Sequence, residues 1–231
     1  VWDIKSRDRY LLFIFPRSSI LVYTLDMDVI DLIPSENILH ISVRKLLADE
    51  KLTKYCEGYP GKRYYPGCAD YNVMELSVQR RALELFGLDK NIWRVNVQAY
   101  SGAIANLAML LGLLNPKNTI LYLGLYSGGH LSHGSSASFT GKLFSVINHP
   151  LIEKKGELQI DYTRLESLAR THTPKAIITG ASAYPYPIDF KRIGAIARKI
   201  GAYHIADISH FAKLVSAEAY TSPFAHADAV M

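Results

Sequence analysis

Cysteine is scarce in this sequence of 231 residues, and long apolar runs are missing. The two cysteines, Cys56 and Cys68, are twelve residues apart, a spacing that fits neither a disulfide framework nor a zinc knuckle. The stretch nearest to a membrane segment, residues 10–23, is interrupted by Pro16 and Arg17 and is shorter than the roughly 20 residues that a span needs. We therefore expect no membrane anchor and a reducing compartment, with a cytoplasmic location as the prediction and an organelle as the alternative.

Blocks of one charge are absent as well. The net charge of +5 comes from 26 basic and 21 acidic residues that are scattered along the chain, without a Lys/Arg cluster of the kind that follows a phosphate backbone. No nucleic-acid partner is therefore expected. With 49% hydrophobic and 20% charged residues and no repeat at a fixed period, the composition is that of a globular protein.

From residue 91 onward, short apolar runs alternate with stretches of helical periodicity, which is typical of a parallel sheet with crossover helices. The predicted strands are residues 94–98, 119–123, 142–147, 176–181, 203–208 and 227–231. The predicted helices between them are residues 103–114, 162–171 and 189–200. The expected fold class is α/β, a three-layer α/β/α sandwich with a mostly parallel sheet.

The first 90 residues have a different pattern. Helices are predicted at residues 41–49 and 75–86, on either side of a loop at 55–67 whose glycines and prolines oppose regular structure. A loop of that length usually has a function. We therefore divide the chain into an N-terminal arm, residues 1–90, and a large domain, residues 91–231, which we expect to be partial because it ends inside an apolar run.

The first motif that could carry chemistry is Ser101-Gly102, between a predicted strand and a predicted helix. The first N–H groups of a helix lack intrahelical partners, and the helix dipole adds positive potential there. A phosphate could bind at this position, since the glycine would allow its close approach. An ordinary N-cap is the alternative, because Ser-Gly before a helix is common.

A second motif places Asp207 near the C-terminal end of the predicted strand 203–208, with His210 three residues later. Ligands of open α/β sheets bind at that edge. A carboxylate in such a position needs a cationic partner, which the protonated ring nitrogen of a pyridine-type cofactor could supply. The alternative is that Asp207 caps the next helix.

The third motif is the loop at residues 127–134, in which His130 and His133 are flanked by glycines. Their spacing suits a metal site, but no third ligand lies nearby in the sequence. The flanking glycines also suit an aromatic ring that covers a ligand. A metal site, a stacking histidine and a plain loop stay open as interpretations.

Five stretches of the sequence together resemble one known family. They are LIPSEN at residues 32–37, YCEGYPGKRYY at 55–65, NVQAYSG at 96–102, GGHLSHG at 128–134 and ADISH at 206–210. In their order and spacing they resemble serine hydroxymethyltransferase, and the likeness covers residues 30–231. The EGYPGKRYY run at residues 57–65 is specific to that family.

This resemblance implies a fold-type I enzyme that uses pyridoxal 5′-phosphate and interconverts serine and glycine while it passes a one-carbon unit to tetrahydrofolate. It also implies a homodimer or tetramer with shared active sites, in which the loop at residues 55–65 reaches the neighbouring subunit. No metal is implied. The lysine that would hold the cofactor is expected beyond Met231, so a fragment that lacks it is expected to be inactive.

Individual roles follow from the same resemblance. Asp207 would pair with the ring nitrogen of the cofactor, His130 would stack on the ring and His210 would lie near its phenolic oxygen. Glu57 would be the acid or base that moves a proton at the substrate. These four would be the catalytic residues. The further cofactor contacts would be Ser101, Gly102, Ser182 and Tyr55, the further substrate contacts Ser35, Tyr64 and Tyr65, and the folate contacts Leu125, Gly129 and Leu131.

The sequence departs from the family pattern at Ala103, where a second serine is usual, and at Pro66, where glycine is usual. Two other functions stay open. A threonine aldolase-like enzyme of the same fold type would share the aspartate and the stacking histidine but not the loop at residues 57–65. A non-catalytic paralogue would bind pyridoxal phosphate or act as a regulatory subunit.

Overall fold

A five-stranded sheet, in which every pair of neighbouring strands is parallel, forms the centre of the computed structural model, which describes residues 39–231. The α-helices of this range are α1 (Ile41–Leu46), α2 (Ala69–Leu85), α3 (Gly102–Leu113), α4 (Phe139–Leu143), α5 (Tyr162–His172), α6 (Phe190–Ile200) and α7 (Ala212–Ser216). The strands are β1 (Gly58–Tyr59), β2 (Lys62–Arg63), β3 (Thr119–Tyr122), β4 (Ser145–Asn148), β5 (Leu151–Lys154), β6 (Glu157–Ile160), β7 (Ala176–Gly180), β8 (Tyr203–Asp207) and β9 (Ala229–Val230).

The strand order in the sheet is β4-β3-β7-β8-β9. The chain therefore passes from β3 to one side, where β4 lies, and then to the other side, where β7, β8 and β9 follow. Such a reversal of strand order opens a crevice at the C-terminal edge of a parallel sheet, and ligands bind there. Two antiparallel hairpins, β1 with β2 and β5 with β6, lie outside the sheet.

Alternate side chains of the strands enter two separate cores. In β3, Ile120 packs in a cluster with Leu110 of α3, whereas Leu121 packs in another cluster with Leu165 of α5 and Ile193 of α6. Since successive side chains of a strand point to opposite faces, the helices cover both faces of the sheet. The predicted three-layer α/β/α sandwich is confirmed.

The helix starts follow from local sequence. Ser101 caps α3, Asp161 caps α5 and Asp189 caps α6, each by accepting a hydrogen bond from a first-turn N–H group. These caps explain why the predicted helices 103–114, 162–171 and 189–200 match the observed bounds closely. The predicted strands 119–123, 176–181 and 203–208 are likewise confirmed as β3, β7 and β8.

Five expectations about local structure are wrong or incomplete. Residues 94–98 form no strand. Alternate residues there are half-buried, but their backbone pairs with no strand among residues 39–231. The stretch 142–147 holds the end of α4 before β4 begins, and α2 begins at Ala69 rather than at residue 75. The loop at residues 55–67 is not wholly irregular, since β1 and β2 form a short hairpin within it. The predicted strand at 227–231 is reduced to Ala229–Val230. The division of the chain at residue 90 stays a prediction.

Candidate active site

The candidate site lies at the C-terminal edge of the sheet, where the strand order reverses. Asp207 ends β8, the loop after β3 carries His130 and His133, and Ser182 follows β7. The two loops are joined by a hydrogen bond from the backbone N–H of Ser182 to the carbonyl oxygen of Gly128, at 2.9 Å. The fold therefore brings side chains from three separate segments to one edge.

The buried carboxylate of Asp207 accepts four hydrogen bonds. Oδ2 accepts from His133 Nε2 at 2.8 Å and from Asn106 Nδ2 at 2.9 Å. Oδ1 accepts from the backbone N–H of Ser209 at 3.0 Å and from its hydroxyl at 2.5 Å. Helix α7 has Phe211 at its N-cap, so the alternative in which Asp207 caps that helix is wrong.

The protonation state of Asp207 follows from these contacts. Burial alone would raise the pKa of this carboxyl group, but the hydrogen bonds from His133, Ser209 and Asn106 and the nearby imidazole hold the pKa well below its usual range. Because an ionised carboxylate only accepts, the proton that His133 shares with it lies on Nε2. Asp207 is therefore a fixed negative charge at the edge of the sheet.

A chain of hydrogen bonds extends from Asp207 to His130. The amide of Asn106 also donates to the hydroxyl of Ser132 at 3.0 Å, and that hydroxyl lies 2.7 Å from His130 Nδ1. The backbone N–H of Ser132 donates to the same Nδ1 at 3.2 Å, so this nitrogen is an acceptor and the ring proton lies on Nε2. Burial lowers the pKa of His130, helped by the neighbouring histidines, which favours the neutral ring.

Three imidazole rings cluster beside Asp207. The centroid of the His130 ring lies 5.7 Å from that of His133 and 6.3 Å from that of His210. Because His133 points its Nε2 at Asp207, it does not form a metal pair with His130. Among the residues that the structure describes, no group of three His, Cys, Asp or Glu side chains could hold a metal ion. His130 is half-buried and His210 is exposed, so both can meet a ligand.

The N-terminus of α3 lies close to this cluster. Ser101 is the N-cap, as the alternative interpretation expected, and its hydroxyl oxygen accepts from the N–H of Ile104 at 3.3 Å. A Cβ atom added to Gly102 would lie 3.7 Å from the hydroxyl oxygen of Ser209, two residues after Asp207. Ser101, Gly102 and Ala103 are exposed, so the first N–H groups of this helix are available to an anion.

Two buried polar atoms in the loops that follow β3 and β7 have no hydrogen-bond partner among residues 39–231. They are the hydroxyl oxygen of Ser182 and Nδ1 of His133. Buried polar groups almost always have partners, so such atoms mark places where a polar ligand would bind. Together with the charge on Asp207 and the exposed start of α3, they fit a ligand that has a basic ring nitrogen at one end and an anion at the other.

The three predicted folate contacts lie in the loop after β3, in two kinds of environment. Leu125 and Leu131 are exposed on two short 3₁₀ turns, Leu125–Ser127 and Leu131–His133. Leu131 also lines an apolar cavity of about 300 Å³ with Ile104 of α3. Gly129 is buried, and a Cβ atom added to it would lie 1.8 Å from the carbonyl oxygen of Leu123. The structure therefore shows a packing reason for glycine at position 129.

The substitution Gly129→Ala should destabilise the protein by about 2 kcal/mol or more, because the backbone has to move to admit a methyl group. Gly112→Ala is the matched control, since no atom of the described residues lies within 4 Å of a Cβ atom added at this position in the last turn of α3. That change should stabilise the protein by roughly 0.5–1 kcal/mol through helix propensity. Urea unfolding of both variants measures the two effects, and equal midpoints would contradict the expectation.

The predicted substrate loop forms a separate group of residues. Tyr55 and Glu57 line a cavity of about 750 Å³. Tyr55, Tyr64 and Tyr65 are exposed, and the rings of Tyr55 and Tyr65 lie 5.8 Å apart. No described contact joins these side chains to Asp207. Ser35 lies outside the described residues.

A buried arginine braces this loop. The guanidinium group of Arg63 donates to the carbonyl oxygens of Cys56 at 2.8 Å and Gly58 at 2.6 Å. It also donates to Asn72 Oδ1 at 2.9 Å and pairs with Glu75 Oε2 at 2.6 Å, both on α2. The side chains of Arg63 and Glu75 are only 6% and 11% exposed. The backbone that leads into Glu57 is therefore tied to α2.

Three members of the Asp207 network were not predicted as site residues: Asn106, Ser132 and Ser209. His133 was considered only as a possible metal or stacking partner of His130. Asn106 had a usable signal, because it is the one polar side chain in the otherwise apolar helix α3. A buried amide in such a helix needs a partner. Ser132 had no signal of that kind, since serine is common in loops.

His149, which follows β4, should make the protein sensitive to acid. Burial, with repulsion from His133 and His204, lowers the pKa of His149 to about 3. The backbone of Leu121 favours the charged form slightly, but neither ring nitrogen has a hydrogen-bond partner of normal geometry among the described residues. The folded state therefore keeps this ring neutral, whereas the unfolded chain takes up a proton below about pH 6.5.

The free energy of unfolding should therefore fall as the pH drops below 6.5, with about 2 kcal/mol lost through His149 by pH 5. The His149→Leu protein should lack this loss of about 2 kcal/mol between pH 7 and pH 5. The control His172→Leu, at an exposed position at the end of α5, should lose stability as the unchanged protein does. Urea unfolding at pH 7 and pH 5 measures the difference. An equal loss in all three proteins would show that His149 does not titrate as described.

Comparisons with known proteins give the family of this chain. The family model for serine hydroxymethyltransferase matches residues 24–231. The serine hydroxymethyltransferase of Endomicrobium trichonymphae is 48% identical over 201 residues, which are 87% of this chain and 47% of that protein. That of Acidiphilium cryptum is 47% identical over 203 residues, 88% of this chain and 46% of that protein. The chain thus spans about half the length of the curated relatives it matches. By its sequence and its fold, the chain belongs to the serine hydroxymethyltransferase family.

Proposed function

We propose that the protein is a serine hydroxymethyltransferase, a transferase that interconverts serine and glycine and exchanges a one-carbon unit with tetrahydrofolate. The observation that carries this proposal is the buried, ionised Asp207 at the C-terminal edge of the sheet, with His130 and His210 beside it. Cleavage of the side-chain carbon from serine leaves an electron pair on the α-carbon. Protein side chains cannot accept that electron pair, so the reaction needs a cofactor that acts as an electron sink. Pyridoxal 5′-phosphate, when bound, supplies that sink.

The described residues fit this cofactor. Asp207 would keep a proton on the ring nitrogen, because a carboxylate of low pKa attracts the cationic form of that nitrogen. The four hydrogen bonds that Asp207 accepts would hold it in place. Ser101 and Gly102, at the start of α3, would bind the phosphate with backbone N–H groups and the Ser101 hydroxyl.

The remaining contacts of the cofactor ring would come from imidazole rings and a hydroxyl group. His130, which the Ser132 contacts hold as a neutral ring, would cover one face of the cofactor. His210 would donate a hydrogen bond near the phenolic oxygen. The buried hydroxyl of Ser182, which has no partner among the described residues, would bind at the ring edge. Tyr55 would contact the cofactor of a neighbouring subunit.

The amino acid substrate would meet residues of the loop at 55–65. Glu57 would give or take a proton at the serine hydroxyl, because its side chain is exposed and lines the cavity beside Tyr55. Tyr64, Tyr65 and Ser35 would help to bind serine or glycine. The strong exposure of Tyr55 and Tyr64, at 70% and 80%, supports a homodimer or tetramer in which this loop completes a partner's site. Leu125, Gly129 and Leu131 would lie near the folate.

An assay of the protein expressed from its complete reading frame tests this function. With pyridoxal phosphate, serine and tetrahydrofolate present, glycine and the one-carbon folate should form in equal amounts. Tight cofactor binding without glycine formation would instead support a non-catalytic paralogue. Glycine and acetaldehyde from threonine, with no product from serine, would support a threonine aldolase.

The place of the protein in the cell is part of the same proposal. Among residues 39–231, no helix has the length and apolar character to cross a membrane. We infer a cytoplasmic enzyme that acts on small molecules, which cell fractionation with an antibody against the protein tests.

A further inference from the structure

The fold brings the two cysteines into contact, which their spacing in the sequence did not predict. Cys56 Sγ and Cys68 Sγ lie 3.2 Å apart, and both are free thiols. A disulfide bond is about 2.05 Å long. The two sulfur atoms therefore need to approach each other by only about 1 Å for a bond to form.

The surrounding structure holds the two thiols in this position. Cys68 is buried at the N-cap of α2, a helix of 17 residues. Cys56 is held on the other side, because Arg63 binds its carbonyl oxygen and also pairs with Glu75 of α2. The buried ion pair thus fixes the backbone of Cys56 relative to the helix that Cys68 begins.

We propose that Cys56 and Cys68 form a reversible disulfide that ties the loop of Glu57 to the start of α2. The oxidant is a small disulfide such as oxidised glutathione. The thiolate of Cys56, which is the more exposed of the two, attacks one sulfur of that disulfide and expels one glutathione thiolate. Cys68 then attacks the Cys56 sulfur and expels the second glutathione. In total, the thiols of Cys56 and Cys68 lose two electrons and two protons, which reduce one molecule of oxidised glutathione to two thiols.

The environment of Cys56 sets the rate of the first step. Burial raises the pKa of the Cys56 thiol, as do the hydrogen bond and the charge of Cys68, while Lys54 and Arg63 oppose the rise. The thiolate is therefore scarce at neutral pH, so the pair should react slowly there and faster as the pH rises. Such a site responds to sustained oxidation rather than to brief changes.

The bond would act on the residue that follows Cys56. Glu57 is next in the chain, and β1 begins at Gly58. Oxidation would fix the backbone on the N-terminal side of Glu57, and therefore limit the positions that this carboxylate can reach. This consequence for catalysis rests on the proposed function, whereas the formation of the bond does not.

Mass spectrometry of the purified protein after treatment with oxidised glutathione tests the bond. We expect an intact mass lower by two hydrogen atoms, restored by a reductant. Trypsin without reduction should yield peptides 55–62 and 64–80 linked through Cys56 and Cys68, since Lys54, Lys62, Arg63 and Arg80 are cleavage sites. Cys56→Ser and Cys56→Ala, treated in the same way, should show neither the mass loss nor the linked peptides.

Hydrogen exchange gives the second measurement. The backbone amides of residues 57–65 should exchange roughly threefold or more slowly in the oxidised protein than in the reduced one, with no such change in the Cys56→Ser protein. Two unmodified thiols after prolonged treatment, a stable glutathione adduct on one cysteine or a disulfide between chains would each overturn the proposal. Because neither readout needs the cofactor or a substrate, the outcome is independent of the enzymatic assay.

Discussion

Asp207→Asn should weaken the binding of pyridoxal phosphate by roughly two to three and a half orders of magnitude. Removing one charge of a buried pair costs about 3–5 kcal/mol, since the other charge is left without its partner, and each 1.4 kcal/mol is tenfold in affinity. Asp207 is buried, and its hydrogen bonds keep it ionised. The neutral amide has nearly the same shape but cannot attract a protonated ring nitrogen.

The same substitution should also lower the stability of the protein without the cofactor. Oδ2 of Asp207 now accepts from both His133 and Asn106, whereas an amide has a single acceptor oxygen and two N–H donors of its own. At least one buried donor would then face another donor, which costs about 1–3 kcal/mol. The binding measurement therefore has to be made at a temperature at which the variant is folded.

Equilibrium dialysis with pyridoxal phosphate measures the affinity, and circular dichroism confirms that each variant is folded. Asp70→Asn is the matched control, because its carboxylate lies on the surface of α2, with a side chain 74% exposed. It should bind the cofactor as the unchanged protein does. Equal affinity of the Asp207→Asn and Asp70→Asn proteins would show that Asp207 is not the partner of the ring.

The parts of the fold that follow from short-range patterns were predictable. The apolar runs of β3, β7 and β8 are buried on both faces, so they stand out in the sequence, and the capping side chains mark the helix starts. The stretch 94–98 has the alternation of a strand, but a strand also needs a neighbour to pair with, and no local pattern reports whether one exists. The β5–β6 hairpin was missed because its exposed residues carry little periodic signal.

Site residues that belong to a single sequence motif were predictable, whereas contacts between distant segments were not. Asp207 and His130 follow directly from a strand end and a glycine-flanked loop. The contact between Asn106 and Asp207 joins residues 101 positions apart, and only the packing of α3 against the sheet brings them together. Cys56 and Cys68 meet because the β1–β2 hairpin reverses the chain between them and Arg63 holds the result. The spacing of the two cysteines in the sequence did not reveal this contact.

Glu57→Gln should lower the turnover of serine by roughly 10²–10⁴-fold, the usual contribution of a general acid or base, and leave the affinity for pyridoxal phosphate unchanged. The amide keeps the size and the hydrogen-bonding ability of the side chain but cannot exchange a proton. Glu50→Gln is the control, since Glu50 is an exposed carboxylate at the start of the 3₁₀ turn that precedes the loop. It should leave turnover unchanged. A Glu57→Gln protein of full activity would remove Glu57 from the proposed mechanism.

Mixing the two inactive variants then tests whether the loop acts on its own subunit or on a neighbour. If Glu57 serves the partner's site, a hybrid of one Glu57→Gln and one Asp207→Asn subunit has one site with both defects and one site with none. Random exchange of subunits in an equal mixture should therefore restore about a quarter of the active sites of a symmetric dimer. If Glu57 serves its own subunit, every site carries one defect and the mixture stays inactive. Recovery of activity on mixing would thus explain why Tyr55 and Tyr64 are so exposed in the single chain, because their contacts would lie on the other subunit.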